Sequence, residues 1–202
     1  MHILVVGGGM GGTILANNLA RRLSGELEQG SSKITMLSAS DKHMYQPGLL
    51  YVAVGKMSTS ELYRDQKSLL EPSIDFHVDP VEKFDLDNNA VTTKSGKKIS
   101  YDIICIATGS RGNAAGIPGL AENACQFYTE ADALAMYKKL QKFEGGKVVV
   151  ATGVPHKCPM SPLEITFFLI DYFKKRGIWK KVDRQSTYPI GRVHRIEPVA
   201  KR

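Results

Sequence analysis

Two stretches of this sequence combine residue types at spacings that do chemistry. The first is Gly7-Gly8-Gly9-Met10-Gly11-Gly12, which puts Gly7, Gly9 and Gly12 in the pattern G-x-G-x-x-G. In that pattern the first glycine allows a tight turn, the second lets backbone approach a pyrophosphate, and the third lets a helix pack closely on a strand. The helix that follows offers free N–H groups and the positive end of its dipole to the phosphates. A glycine run alone is a weak signal, but this one follows the apolar residues 3–6 and opens a helix-spaced segment, the context of a dinucleotide site. Met10 and Gly11 belong to the same cradle. No acid ends the second strand, so the ribose hydroxyls fall to Ser38 or to Asp41, with a simple turn cap as the other reading of Asp41. Val78 joins the cofactor-binding set, as does Ala107-Thr108-Gly109, where Gly109 has no Cβ to block a sharp turn beside the ligand.

The second stretch is His156-Lys157-Cys158-Pro159-Met160-Ser161-Pro162-Leu163-Glu164, reached from the apolar residues 147–151 through Thr152-Gly153-Val154-Pro155. A nicotinamide-nucleotide domain would carry another G-x-G-x-x-G here. This chain has one glycine, three prolines and a cysteine instead, and proline removes the N–H donors that a pyrophosphate needs. A thiol just before a helix N-terminus, beside a lysine and a histidine, has its thiolate form favoured. Cys158 is thus the candidate nucleophile, with an inert thiol as the alternative; His156 and Lys157 are the neighbours that favour its thiolate. Glu164 reads as a proton carrier or as an ordinary first-turn acid favoured by the helix dipole.

The elements that must position these residues alternate. Residues 3–6 read as a strand, 13–24 as a helix stopped by Gly25, and 33–37 as a second strand, a unit that implies a parallel sheet with crossovers. Residues 41–63 form a long irregular excursion, functional or helical in part. Residues 74–83 and 90–99 read as strands of a small antiparallel meander, and 103–107 as a strand buried on both faces, with Cys105 a core residue. A helix over 130–143, a strand over 147–151 and a helix over 162–176 stopped by Gly177 complete the pattern. The expected fold class is α/β: a Rossmann-like domain with a parallel sheet and a small antiparallel meander over residues 1–120, then the start of a second Rossmann-like domain over 121–202. One strand and one helix cannot cover a doubly wound sheet, so the chain reads as truncated.

The 202 residues are 43% hydrophobic and 23% charged, which excludes a disordered chain, and no apolar run reaches the roughly 20 residues of a membrane span. The N-terminus has no secretory pattern, and three cysteines are too few for a disulfide scaffold, so a cytoplasmic address is expected. Much of the +7 charge lies late, in Lys174, Lys175, Arg176, Lys180, Lys181, Arg184, Arg192, Arg195, Lys201 and Arg202. That is a solvated face or an attraction to anionic lipid; no aromatic-interleaved basic module points to nucleic acid.

With the glycine loop, Tyr101-Asp102-Ile103-Ile104-Cys105-Ile106-Ala107-Thr108-Gly109-Ser110 and Gly116-Ile117-Pro118-Gly119 resemble the flavoproteins with two dinucleotide-binding domains, which implies FAD as the first dinucleotide. The resemblance narrows at His156 to Glu164, Phe127-Tyr128-Thr129, Tyr188-Pro189-Ile190-Gly191-Arg192-Val193, and Tyr45-Gln46-Pro47-Gly48-Leu49-Leu50-Tyr51-Val52-Ala53-Val54-Gly55. These are similar to the sulfide:quinone oxidoreductase and flavocytochrome c sulfide dehydrogenase family, over essentially the whole chain but only the N-terminal half of such proteins. The resemblance implies electron flow from sulfide through a cysteine pair to FAD and then to quinone, with Cys158 as one of the pair and its partner in the half beyond this chain. It also implies a peripheral contact with the inner face of the membrane, and a homo-oligomer is compatible with it. Many members carry a further cysteine at the position of Tyr128; Cys125, offset by three residues, reads as a surface thiol. Two alternatives stay open: an NADH:quinone-type reductase with the same FAD half, and a non-catalytic nucleotide-binding protein.

Overall fold

The structure, a computed structural model, describes residues 1–153 and 156–188. The expected motif residues 189–193 and the basic Arg192, Arg195, Lys201 and Arg202 lie outside the described residues. Along the chain come β1 (His2–Val6), α1 (Met10–Arg22), α2 (Ser24–Glu28), β2 (Lys33–Ser38), β3 (Lys42–Met44), α3 (Leu49–Ala53), β4 (Tyr63–Asp65) and β5 (Ile74–Val78). Then follow β6 (Val81–Asp85), β7 (Ala90–Thr93), β8 (Lys98–Ser100), β9 (Ile103–Ile106), α4 (Leu120–Asn123) and α5 (Glu130–Lys142). The last are β10 (Gly146–Ala151), α6 (Ser161–Lys175) and β11 (Val182–Thr187). They group into two compact units, residues 1–45 with 63–111, and residues 46–62 with 112 onward.

The first unit is built on a four-stranded parallel sheet in the order β5-β2-β1-β9. Central β1 sends Ile3 and Val5 toward Ile34, Met36, Ile74 and the small Ala16 and Ala20 of α1. It sends Leu4 and Val6 the other way, toward Leu37, Val91 and Tyr101. A strand covered on both faces has no reason to alternate, so residues 3–6 are apolar throughout. Helix α1 buries Gly12, Thr13, Ala16 and Ala20, all small, and rests close on the sheet, while Ile14 is 55% exposed. The opposite face is covered by an antiparallel meander, β6-β7-β8.

The meander corrects two expectations. Residues 74–83 are not one of its strands: β5 runs parallel to β2 in the main sheet, and β6 alone belongs to the meander. The break falls at Asp79-Pro80, because proline has no N–H to continue a ladder. Residues 90–99 are a hairpin, β7 and β8, closed by the N–H of Gly96 donating to the Thr93 carbonyl at 2.9 Å. Strand β9 is also not buried on both faces. Among the described residues it pairs with β1 alone, and Ile103 and Ile106 are 46% and 58% exposed while Ile104 and Cys105 pack on the two core clusters. An apolar run does not tell a central strand from an edge one. Gly25, finally, lies inside α2 rather than after α1, which stops at Leu23, where the backbone leaves helical geometry (φ −106°, ψ 23°).

In the second unit, β10 and β11 pair in parallel and α6 is the crossover between them. Ile165, Leu169 and Phe173 form its buried stripe, and Gly177 (φ +70°) follows its end as expected. Helix α5 is capped by Thr129, whose hydroxyl accepts the Asp132 N–H at 3.1 Å, and is closed by Arg176 donating to the Leu140 and Phe143 carbonyls at 2.7 Å each. The excursion is helical in part, as α3, which buries Leu49, Leu50, Val52 and Ala53 and packs on α5. The fold is α/β and Rossmann-like, a parallel sheet with an antiparallel meander followed by a second βαβ unit. Among the described residues no helix is long and apolar enough to cross a membrane.

Candidate functional site

At the carboxyl ends of the parallel strands the first unit gathers the loop after β1, the ends of β2 and β5, and the turn after β9, the usual ligand crevice of an open α/β sheet. Gly7 (φ +114°) lies against the Ala107 carbonyl, and a side chain on Gly12 would collide with the Gly7 carbonyl. Gly9 and Gly11 differ: a Cβ on either would meet nothing within 4 Å. Gly9 is the N-cap of α1 and offers no side chain to its amides, and the first turn holds no acid. The uncapped amides and the unopposed dipole suit an anion.

The flanking residues are placed less evenly. Ser38 is 8% exposed, and its hydroxyl oxygen accepts the Ser40 N–H at 3.3 Å. Val78 is its register partner on β5 and is exposed. Asp41 points to solvent beside Lys42 (3.8 Å), and its backbone carbonyl accepts the Gln66 N–H at 2.8 Å. Ala107 continues the β9 pairing, its N–H donating to the Val6 carbonyl at 2.7 Å, and Thr108 and Gly109 (φ +76°) are exposed after it. A cleft of about 310 Å³ opens nearby between Leu37, His77, Val78, Asp79, Ser95 and Lys97.

Sequence reasoning missed the other side of this loop. A Cβ on Gly8 would come 2.6 Å from Ser38 Oγ and 3.5 Å from Gln66 Cδ. Gln66 is fully buried; its amide nitrogen donates to Thr13 Oγ1 at 2.9 Å, and its Oε1 lies 3.0 Å from His43 Nδ1. His43 Nδ1 is also 3.2 Å from the Gly8 carbonyl, and the Thr13 hydroxyl reaches the same oxygen at 3.3 Å.

The thiol stretch lies in the second unit. Cys158 is a free, half-buried cysteine three residues before the start of α6. His156 is half-buried; its Nε2 is 3.4 Å from the Tyr188 hydroxyl, and its Nδ1 is shut from water with no hydrogen-bond partner among the described residues. Thr152 Oγ1, just past β10, is likewise buried and has no partner among the described residues. Lys157 and Glu164 are exposed. Tyr128 stands beside this group. Burial pushes its phenol above the ordinary tyrosine range against a hydrogen bond with buried Ser161, and the charge of a Cys158 thiolate adds to the rise. The phenol therefore stays protonated near the thiol. Cys105 packs on the core and Cys125 is exposed.

Residues 1–153 match the family described as pyridine nucleotide-disulphide oxidoreductase. The chain belongs to that family. It is 36% identical over 184 residues to the sulfide-quinone reductase of Aquifex aeolicus, covering 90% of this chain and 41% of that protein. It is 28% identical over 205 residues to the mitochondrial sulfide:quinone oxidoreductase of Mus musculus, covering 98% and 44%. The X-ray structure of the Aquifex aeolicus sulfide:quinone oxidoreductase matches at a TM-score of 0.80 and 31% identity, over 94% of this chain and 44% of that one. The chain thus spans less than half the length of these relatives. Members of this oxidoreductase family are FAD-binding flavoproteins. The described residues fit that cofactor: Gly9 and Gly11 leave the cradle that a Cβ would fill, and the α1 amides that open onto it have no side-chain cap.

Proposed function

We propose that the chain works as a sulfide:quinone oxidoreductase-type flavoprotein, in which sulfide is taken up at Cys158. The observation that carries this reading is the connection from β10 to α6, where Cys158 and three prolines occupy the place of a second glycine fingerprint. When bound, FAD supplies a two-electron acceptor. The loop from Gly7 to Gly12 would hold its pyrophosphate and Ser38 or Asp41 its ribose hydroxyls, with Val78 and the turn 107–109 beside them. In the second unit Cys158 is one half of an oxidised disulfide whose other cysteine lies beyond this chain: hydrosulfide attacks that bridge, the S–S bond breaks, Cys158 keeps the sulfide sulfur as a persulfide, and the partner cysteine leaves as the thiolate that holds the electron pair destined for the flavin. His156 and Lys157 favour the anionic sulfur, Glu164 takes up and releases the protons of hydrosulfide, and the raised phenol of Tyr128 remains protonated at neutral pH. The electrons leave to a quinone, a lipid-soluble partner, which fits a chain lying peripherally on a membrane; the basic residues from Lys174 to Arg184 support that placement.

The test is Cys158→Ser in the natural protein. It keeps the 450 nm flavin absorbance and loses sulfide-dependent quinone reduction by roughly a thousandfold or more, the scale for losing a covalent nucleophile. Unchanged sulfide turnover overturns the proposal. Oxidation of NADH in place of sulfide favours the nicotinamide-dependent reading, and a colourless protein that takes up no FAD favours the non-catalytic one.

A further inference from the structure

The glycine pattern says which loop residues lack side chains, not which way their peptide planes face. In a trans peptide the carbonyl and the next N–H point in opposite directions, so holding the Gly8 carbonyl sets the direction of the Gly9 N–H. Groups from three separate places in the chain converge behind that carbonyl. His43 Nδ1 lies 3.2 Å from it and Thr13 Oγ1 3.3 Å, while Gln66 braces both, its Oε1 3.0 Å from His43 and its Nε2 2.9 Å from Thr13. Gln66 Nε2 donates to Thr13, which turns Oε1 toward His43; Oε1 and the Gly8 carbonyl both only accept, so with this amide orientation Nδ1 of His43 carries the proton they share. Gln66 is fully buried and Thr13 nearly so, which makes each of these contacts hard to replace with water. The opposite side of the loop, at Gly9 and Gly11, is open.

We propose that His43, braced by Gln66 and Thr13, is a positioning residue for the FAD pyrophosphate: it holds the Gly8 carbonyl inward and so turns the Gly9 N–H toward the phosphates. This rests on FAD occupying the glycine loop and is independent of the sulfide chemistry. His43 does not touch the cofactor; it acts through the backbone of Gly8.

Asparagine carries a nitrogen donor where histidine carries Nδ1, whereas glutamine carries its nitrogen one bond farther out. Flavin fluorescence titrations of the full chain therefore separate the variants. His43→Ala and His43→Gln weaken FAD binding about tenfold, the effect of one lost buried hydrogen bond. His43→Asn stays within about twofold of the parent, since the donor is kept. ADP, which carries the pyrophosphate without the isoalloxazine, follows the same order. Equal FAD affinity in the parent and His43→Ala overturns the proposal. Equal loss in His43→Ala and His43→Asn also overturns it, because the ring would then act by packing alone. A parent chain that binds neither FAD nor ADP overturns the flavin reading of the loop itself.

Discussion

Gly9 and Gly12 belong to one pattern for different physical reasons. A side chain on Gly12 collides with the protein's own Gly7 carbonyl, whereas one on Gly9 meets only the space a ligand takes. Gly9 also has extended geometry (φ −74°) that any residue adopts. Gly9→Ala is therefore expected to change flavin-free stability by no more than about 0.5 kcal/mol while sharply weakening FAD binding. Gly12→Ala is expected to cost the flavin-free fold about 1–3 kcal/mol, the scale of overpacking. Calorimetry with and without FAD separates the two, and equal destabilisation would contradict it. The glycines were legible because a ligand and a close helix impose a fixed spacing. His43 and Gln66 were not, because each is an ordinary polar residue that gains its role only when distant segments meet behind Gly8. Gly8 itself was hidden at a free position of the pattern; what demands it is Ser38, more than two dozen residues away.

At the level of elements, β2 and β5 are tied at their starts by a charged cluster. Asp75 lies 2.7 Å from Lys33 and 2.8 Å from His77. Burial pushes its carboxyl upward, but the hydrogen bonds and charges of Lys33 and His77 outweigh this and hold it below the ordinary aspartate range. A carboxyl lowered in the folded state adds stability above its unfolded pKa, and that increment is lost as pH falls below about 4. Asp75→Asn is expected to cost under about 1 kcal/mol at neutral pH, because the cluster is partly exposed. The gap to the parent should narrow as the pH falls below the ordinary aspartate range and the lowered carboxyl takes up its proton, as urea titrations at neutral and acid pH will show. A gap that widens in acid would contradict the assignment. The same strands show why elements were only partly legible. Apolar spacing located β5, but assigning it to the main sheet rather than the meander turned on Pro80 and on pairing with β2. The exposure of β9 turned on its place at the edge, which leaves no local mark.

For the molecule as a whole, the order of strand, glycine turn, helix and strand made the α/β class legible from residue types alone. The partner of residues 46–62 was not: they lie between segments of the first unit in sequence but pack within the second through Leu49, Leu50, Val52 and Ala53. Charge is the other property at this scale. Lys174, Lys175, Arg176, Lys180, Lys181 and Arg184 cluster in sequence around Trp179, over whose ring Arg184 lies at 3.6 Å. If this cluster faces a membrane, the chain co-sediments with anionic phospholipid vesicles at about 0.05 M salt and is released near about 0.5 M, where screening shortens to a few ångströms. Lys180→Glu with Lys181→Glu weakens that binding. Equal retention on neutral vesicles would contradict it.

The brace behind Gly8 makes the nucleotide loop a poor transplant. A fragment of residues 1–38 would carry the strand, every glycine of the pattern, the helix and the second strand, yet neither His43 nor Gln66. Residues 39–45 and 63–66 read like trimmable insertions, and a graft that left them behind would keep the motif while losing the grip that aims it.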